Sequence, residues 1–399
     1  MTTSPKYSIV IPTKEGMPYL RYAVASVLAS SRADIQLVVS ADQSADSSDE
    51  YLSNLDDTRV TLVRPAKALS LSDHWDFAQS HATGEWQMFL GQDDLMMTNF
   101  AEGLDSLVEA ADIKGTSVVV TRRAYLCWPP LREKKLKALQ HWKTDQVEIR
   151  QSLDFVEKAL TTGISYHAGP QMYTSTIVHR DLLTKIRMSQ KGQLIIGHPQ
   201  DAFLAAAILK ESPSFLWSGA PIAWVGTSEK SAGLAISKGA DNSGLGNLAK
   251  DYANSVHSDK KIVYSSTVDF RHGVTARYFL DALFAAWPEV LELKKFSTKK
   301  FKLKMDSEFM ASYSRRHKNL VTRRELVTLR HCLWLTTLMG YTKYLRAFVL
   351  GQFLDVTSKF FASRLKSRYS FHQIKSCDDA GLLFEAARKI RTDPVKLLS

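Results

Sequence analysis

The stretch Gly84–Asp94, GEWQMFLGQDD, decides the fold of the first half of the chain. Its apolar part, from Trp86 to Leu90, predicts a short buried strand. Two adjacent carboxylates, Asp93 and Asp94, follow this strand directly. Like charges this close repel each other, and burial disfavours both charged forms. A bound cation, nearby hydrogen-bond donors or plain exposure to solvent can compensate for that cost.

Two interpretations of this acidic pair are open. In the first, Asp93 and Asp94 hold a hard divalent ion, Mg²⁺ or Mn²⁺, which in turn binds a diphosphate. Carboxylates without thiolates or imidazoles suit such an oxygen-preferring ion. In the second, the pair is an acidic surface turn with no ligand. The residues that precede the pair favour the first interpretation.

Short apolar strands alternate with helical patterns up to residue 90. The predicted strands and helices are, in order, 7–12, 18–30, 35–39, 49–55, 60–63, 72–81 and 86–90. This β-α-β-α-β-α-β order predicts a parallel sheet covered by helices on both faces. Ligands bind such sheets beyond the carboxyl ends of the strands. We therefore expect Thr13, Asp42 and Asp93 to converge on one edge.

Composition excludes several classes of protein. The 399 residues are 45% hydrophobic and 23% charged, which is ordinary for a globular chain of two or three domains. No run of 18 apolar residues indicates a transmembrane helix, and the N-terminus does not resemble a secretory signal. Three distant cysteines favour reduced thiols in a cytoplasmic protein. No P-loop motif is present, and no Gly-x-Gly-x-x-Gly follows the first strand.

The positive charge is concentrated in the last quarter of the chain. Residues 291–399 carry 23 Lys and Arg against 9 Asp and Glu, a net of +14, whereas the other 290 residues carry 29 against 32, a net of −3. This asymmetry predicts an anionic partner: a membrane surface, a phosphorylated lipid or nucleic acid. Nucleic acid is the least favoured, because no helix-turn-helix pattern or ribbon of aromatic and basic residues accompanies the charge.

Two domains are predicted, an α/β domain over residues 1–240 and a basic, mainly helical domain over residues 241–399. Apolar helix faces flanked by Lys and Arg in the second domain are typical of peripheral membrane association. The alternative is a helical bundle that packs on the first domain with its basic side chains in water. Homo-oligomerisation stays open.

Several stretches together carry a resemblance to a known family. They are SIVIPTKEG from Ser8, LVVSADQSADSS from Leu37, and HWDFAQSHATGEWQMFLGQDD from His74. In this order they resemble the nucleotide-binding half of family 2 glycosyltransferases of the bacterial surface-polysaccharide type. The resemblance covers residues 6–105 well and 150–235 more loosely. It implies the GT-A fold, a Rossmann-like and mostly parallel α/β sheet flanked by helices, here with a helical C-terminal region.

The resemblance also implies roles for residues at the donor site. Pro12, Thr13 and Glu15 would contact the nucleoside, and Asp42 would bind the base or the ribose. Asp76 would lie at a further nucleotide contact, although the family's Arg-Asn pair reads Trp75-Asp76 here.

Asp93 and Asp94 would meet the metal and the diphosphate of the donor. The first carboxylate of the family's D-x-D motif is replaced by Gly91 or Gln92 in this chain. The metal could therefore depend on Asp93 alone, or Asp94 could substitute for the missing carboxylate.

Asp201 is the predicted general base. It follows Gly197-His198-Pro199-Gln200 at the start of a predicted helix, where the family has an acidic residue, often in a Glu-Asp pair. Inverting transfer, which the resemblance implies, needs a carboxylate to accept the proton of the attacking hydroxyl. Asp201 could instead only complement the helix dipole. His198 and, more weakly, His179 are competing candidates for the base.

Two further segments have open roles. The basic and aromatic segment from residue 122 to residue 143 could border the acceptor pocket, or could be a solvated helix. The Gly- and Ser-rich segment from residue 226 to residue 246 could be a lid that excludes water from the donor, or a linker between domains.

These inferences predict an enzyme that moves a sugar from a nucleotide-sugar donor to a saccharide or a lipid-linked acceptor. Its basic C-terminal quarter would dock on the inner face of the cytoplasmic membrane. The alternative is a scaffold protein with a degenerate GT-A domain that binds sugar nucleotides without catalysis, as the glutamine at position 92 suggests.

Overall fold

The fold is described from a computed structural model, which covers residues 4–98, 100–128, 139–140, 146–162, 166–228, 230–231 and 275–292. The first half of the α/β unit alternates strands and helices as predicted. These elements are β1 Tyr7–Thr13, α1 Tyr19–Leu28, β2 Ile35–Ala41, α2 Ser48–Ser53, β3 Val60–Val63, α3 Leu71–Gln79 and β4 Trp86–Phe89. All neighbouring pairs in the order β3-β2-β1-β4 are parallel, which confirms the predicted fold class.

The second half adds shorter and more varied elements. They are β5 Leu95–Met96, α4 Phe100–Ile113, β6 Val118–Thr121, β7 Ala124–Cys127, β8 Leu139–Gln140, β9 Val147–Gln151, α5 Ser152–Thr162, a 3₁₀ turn Tyr166–Ala168, β10 Thr176–His179, α6 Arg180–Ser189, α7 Gln200–Glu211, β11 Ser214–Ser218 and β12 Ala223–Thr227. Helix α8 Thr275–Ala286 and a 3₁₀ turn Pro288–Glu292 follow.

These strands form two sheets. The large sheet has the order β3-β2-β1-β4-β10-β6-β11-β9, and the small one β5-β12-β7-β8. Strand β10, which the sequence pattern did not reveal, runs antiparallel to both of its neighbours. The small sheet pairs β12 with the residues just after the acidic pair, so it folds back toward the end of β4.

Both faces of the large sheet are buried. Along β1, Ile9 and Ile11 belong to one apolar cluster and Val10 to the other, on the opposite face. Side chains alternate between faces with a period of two, so a strand covered on both sides is a continuous apolar run. This is why β1 and β4 were predictable as strands although they lack an alternating polar pattern.

Helix α8 packs into the same core as the first domain. Its residues Phe279, Ala282 and Leu283 are buried in one cluster with residues of α5 and α7, and the ring of Phe279 lies 6.0 Å from that of Tyr166. The predicted boundary at residue 240 stays a prediction, and α8 extends the core beyond it. The predicted membrane-docking region lies almost wholly outside the described residues. None of the helices described is long and apolar enough to cross a membrane.

Candidate active site

The carboxyl ends of β1 and β2 lie side by side. Thr13 is in register with Ala41, and the amide of Asp42 donates to the Thr13 carbonyl oxygen at 3.0 Å. The Asp42 side chain is 2% exposed. Its Oδ1 accepts from the Gln43 amide at 2.9 Å, and its Oδ2 pairs with Lys14 Nζ at 3.3 Å. The structure thus brings Thr13 and Asp42 together, as expected.

Gln92 ties the end of β4 to the end of β1. Its Oε1 accepts hydrogen bonds from the Thr13 hydroxyl at 2.8 Å and from the Lys14 amide at 3.1 Å. A neutral side chain at this position joins the two strand ends without adding a third charge beside Asp93 and Asp94. Gln92 therefore has a structural use at the position where the family resemblance expects a carboxylate.

Asp94 is a buried anchor. It is fully shielded from solvent, and both of its carboxylate oxygens accept hydrogen bonds. Oδ2 accepts from the Gly91 amide at 3.0 Å and from the Thr174 hydroxyl, and Oδ1 accepts from the Gly226 amide at 2.5 Å. Asp94 therefore joins the end of β4 to β12 and to the segment before β10.

Asp93 has a different environment, although it is also buried at 8% exposure. Its Oδ2 accepts from the Ser228 hydroxyl at 2.7 Å and from the Ser231 hydroxyl. Its backbone carbonyl accepts from Trp128 Nε1 at 2.6 Å. The partners of the Asp93 carboxylate are thus two serine hydroxyls from the segment that follows β12.

The two adjacent carboxylates are electrostatically costly, as their sequence implied. Burial raises the pKa of Asp93, and burial together with the charge of Asp93 raises the pKa of Asp94 to about 6. Hydrogen bonds from the surrounding hydroxyls and amides oppose both shifts. A cation at this edge would lower the cost of keeping both groups ionised.

The loop between β1 and α1 is held by polar contacts with the loop after β2. Glu15 has a left-handed backbone with φ of 52°, and its carboxylate accepts from the Ala45 amide at 2.5 Å. Lys230 Nζ donates to the carbonyls of Glu15 and Met17 at 2.7 and 2.8 Å. Pro12 lies within β1, opposite Ser40. The nucleoside contacts predicted for Pro12 and Glu15 stay predictions.

Asp76, on α3, has its contacts with residues of α6 and of the loop that follows α6. Its carboxylate pairs with Arg187 at 2.5 Å and accepts from the Leu194 amide at 3.1 Å, and burial raises its pKa. No hydrogen bond in the described part of the chain joins Asp76 to Thr13 or Asp42. The start of α3 does reach that edge, because His74 Nε2 lies 2.9 Å from the Ser40 hydroxyl. The nucleotide contact of Asp76 stays a prediction.

Asp201 lies in the first turn of α7, as predicted. The Tyr166 hydroxyl is 3.3 Å from Oδ1 and 3.2 Å from Oδ2, so it can donate to either oxygen. The ring of the neighbouring His167 contacts that of Tyr166 in a tilted arrangement, with centroids 4.2 Å apart. Burial lowers the pKa of His167, as does the charge of Arg123, whereas Asp201 opposes the shift.

The two competing histidines differ from Asp201 in their surroundings. His198 is buried, its Nδ1 lies 3.4 Å from the Ser72 hydroxyl, and burial lowers its pKa to about 3. His179 caps α6, where its Nδ1 accepts from the Asp181 amide at 3.2 Å, and its Nε2 lies 3.5 Å from Glu85. These contacts give both histidines structural partners.

The His198 environment predicts a pH-dependent loss of stability. The pKa of His198 in the folded state is depressed from 6.5. The buried neutral imidazole therefore contributes its full stability to the native state above pH 6.5, and this contribution is lost as the pH falls toward 3. From pH 7 to pH 5 this group alone should cost the native state about 2 kcal/mol. Urea unfolding of the wild type and of His198→Gln should show that the difference between their free energies of unfolding becomes smaller from pH 7 to pH 5. The half-buried His81→Gln serves as the control, and a difference independent of pH would contradict the prediction.

Sequence reasoning missed the segment before β10. The Met172 carbonyl accepts from the Phe89 amide at 3.1 Å, and the Thr174 amide donates to the Phe89 carbonyl at 2.7 Å. Both Met172 and Thr174 have φ of 52°, which is rare for residues other than glycine and costs of order 1 kcal/mol or more each. Between them, the half-buried Tyr173 lies against Asp94, and its pKa is raised well above the ordinary value by burial of its hydroxyl and by that charge. No local sequence signal marks this segment.

The chain was compared with known protein families, curated proteins and solved structures. Residues 8–167 match the family model described as glycosyl transferase family 2. No curated protein sequence gave a match.

Three solved structures illustrate the structural similarities. Residues 1–349 of S. aureus TarS are 11% identical, with a TM-score of 0.42 and coverage of 88% of this chain and 92% of that one. The same fragment in complex with UDP-GlcNAc is 10% identical, with a TM-score of 0.44 and the same coverages. Mannosyltransferase PcManGT from Pyrobaculum calidifontis, in complex with GDP-Man and Mn²⁺, is 11% identical, with a TM-score of 0.40 and coverages of 90% and 89%.

At these identities and TM-scores, the solved structures leave the donor and the acceptor of this chain open. The family match does not depend on them, and it covers the strands whose ends carry Thr13, Asp42 and Asp93. By this match residues 8–167 form a glycosyl transferase family 2 domain, and the chain is a glycosyltransferase of the GT-A fold.

Proposed function

We propose that the chain transfers a sugar from a nucleoside diphosphate donor to a hydroxyl of a saccharide or lipid-linked acceptor, with inversion at the anomeric carbon. The observation that carries this proposal is that Thr13 and Asp42 meet at one edge, where Gln92, the residue before Asp93, bonds to Thr13 and Lys14. Such an edge beyond parallel strands suits a nucleotide.

The donor's nucleoside would lie at the ends of β1 and β2. Asp42 offers a buried carboxylate that can accept from a ribose hydroxyl or from a base N–H group, and Thr13 lies beside it. A charge-assisted hydrogen bond of this kind contributes about 1.5 to 3 kcal/mol. Lys14, paired with Asp42 at 3.3 Å, supplies a positive charge for the donor's phosphates.

The residues at the β4 end fit a divalent ion only in part. No group of three His, Cys, Asp or Glu side chains among the described residues could hold a metal by itself, and both oxygens of Asp94 are already used. Asp93 is the better candidate, because its carboxylate partners are serine hydroxyls that a cation could replace. Mg²⁺ is often held by one or two carboxylates together with substrate phosphates. When bound, such an ion would offset negative charge on the departing diphosphate.

Asp201 would act as the general base on the acceptor side. Its carboxylate would accept the proton of the acceptor hydroxyl while that oxygen bonds to the anomeric carbon and the bond to the diphosphate breaks. The Tyr166 hydroxyl, which donates to this carboxylate, holds it in one orientation.

Docking at an anionic membrane rests on the sequence alone, on its charge and on the apolar helix faces predicted in the second domain. The net charge of +14 in residues 291–399 supports it, and nearly all of those residues lie outside the described part of the chain. The closing role of the segment after β12 has more support, because Lys230 and Ser231 contact the β1 loop and Asp93. Residues 229 and 232–246 of the predicted lid lie outside the described part of the chain, and its covering of the diphosphate against water stays a prediction.

A binding experiment tests the donor proposal. We expect UDP, GDP, CDP or ADP, and the sugar nucleotides of the same base, to raise the melting temperature of the full chain in the presence of Mn²⁺. Asp42→Asn should weaken that binding about tenfold or more, since it removes the charge from the hydrogen bond. Asp49→Asn, which changes an exposed carboxylate paired with Arg64, is the matched control. If no nucleotide binds with or without Mn²⁺, the proposal is wrong.

A further inference from the structure

Arg123 is a half-buried cation that the donor site and the general base leave unused. It lies just after β6, and its guanidinium bonds to the side chain of Gln171, which is fully buried. With the Gln171 amide oxygen facing Arg123, Nη2 donates at 2.6 Å and Nε at 3.2 Å. No carboxylate among the described residues lies within ion-pair distance of Arg123. Within the described part of the chain its side-chain partner is neutral, so water or an anionic ligand must complete the surroundings of this charge.

The neighbours of Arg123 place it between the two acidic parts of the site. The Gln171 amide nitrogen, in the same orientation, donates to His167 Nδ1 at 3.2 Å. The His167 ring contacts that of Tyr166, whose hydroxyl donates to Asp201. On the other side, Gln171 leads directly into the segment whose Thr174 hydroxyl donates to Asp94 at the end of β4. Arg123 therefore lies between the proposed base and the end of β4.

The backbone around this cation is also specialised. Met172 and Thr174 both have a left-handed conformation, and such strained residues cluster at ligand sites. They hold Tyr173 against Asp94 and follow Gln171 directly. The Thr121 amide, at the end of β6, donates to the Ser175 carbonyl at 2.7 Å, which fixes the Arg123 loop against this segment.

We propose that Arg123 is the centre of an acceptor subsite that binds a phosphate group carried by the acceptor, next to the hydroxyl that Asp201 deprotonates. An arginine fork matches two phosphate oxygens, and Gln171 holds that fork in place. The donor diphosphate is the less suitable occupant, because Lys14 and Lys230 already lie at the β1 end. This inference rests on the proposed function in one respect, the identification of the phosphate-bearing ligand as the acceptor.

The test is a calorimetric titration of the full chain with methyl phosphate. One arm contains saturating UDP and Mn²⁺, so that the donor site is filled, and a second arm contains EDTA and no nucleotide. Arg123→Gln should weaken methyl phosphate binding about tenfold or more in both arms, and Arg123→Lys should restore part of it. Arg122→Gln, whose guanidinium lies 5.4 Å from the Trp217 ring centroid, is the matched control and should bind as the wild type does.

Three results would overturn the inference. They are wild-type binding that Arg123→Gln leaves unchanged, no binding of methyl phosphate to the wild type in either arm, and an Arg123→Gln variant that loses UDP instead of methyl phosphate. The EDTA arm needs no nucleotide, so it decides the Arg123 site even if UDP fails to bind and the donor proposal falls. Thermal unfolding of each variant verifies that it is folded.

Discussion

Replacement of Gly226 by alanine is expected to destabilise the native state by more than about 4 kcal/mol, a loss at the upper end for a single substitution. A methyl group at this position would overlap the carbonyl oxygen of Asp93 and lie 2.5 Å from its carbonyl carbon. Both atoms belong to backbone, so no side chain can rotate away to make room. The Gly226 amide also donates to Asp94 Oδ1 at 2.5 Å, and a displaced strand would lose that bond.

The measurement for Gly226→Ala is urea unfolding, supported by gel filtration to detect misfolded protein. Gly115→Ala is the matched control, because it adds the same methyl group where no atom lies within 4 Å. Gly115 has φ of +65°, so its substitution should cost only about 1 kcal/mol of backbone strain. Equal losses for the two variants would show that the contact of β12 with Asp93 is not required.

Asp201→Asn is expected to reduce turnover by about 10² to 10⁴-fold while donor binding stays within about twofold of the wild type. Asparagine has nearly the same shape, and it can still bond to the Tyr166 hydroxyl, but it cannot accept the proton of the acceptor. The assay is release of the nucleoside diphosphate with a saccharide or lipid-linked acceptor on which the wild type is active. Calorimetry with the free nucleotide reports donor binding separately.

The control for Asp201→Asn separates proton transfer from the helix dipole. Asp181 lies in the first turn of α6 with an exposed side chain. Asp181→Asn should lower the free energy of unfolding by about 0.3 to 1 kcal/mol, as any loss of an acidic first-turn residue does. Its turnover should equal that of the wild type. Tyr166→Phe should give an intermediate loss of turnover, because it removes the donor that orients the carboxylate. Undiminished turnover in Asp201→Asn would refute its role as the base.

The local pattern was sufficient for the first ninety residues. Buried parallel strands are continuous apolar runs, and helices repeat their apolar residues every 3.6 positions, so β1 to β4 and α1 to α3 were predictable within a few residues. Parallel strands also share a direction, which is why Thr13 and Asp42 could be expected to meet. The same reasoning failed for β10, a four-residue strand whose identity depends on the two strands between which it lies.

The sequence by itself predicted the α/β class, Asp42 and Asp93 as candidates for one edge of strand ends, and, through the family resemblance, Asp201 as the base at the start of a helix. Only the tertiary structure decided that Asp94 is a fully bonded anchor while Asp93 faces two serines. The partners that make this distinction, Thr174 and Gly226, lie 80 and 132 residues from Asp94 along the chain. A periodic pattern reports how a segment buries its own side chains. It contains no information on which distant donors will reach a given carboxylate, because that depends on how the two sheets fold against each other.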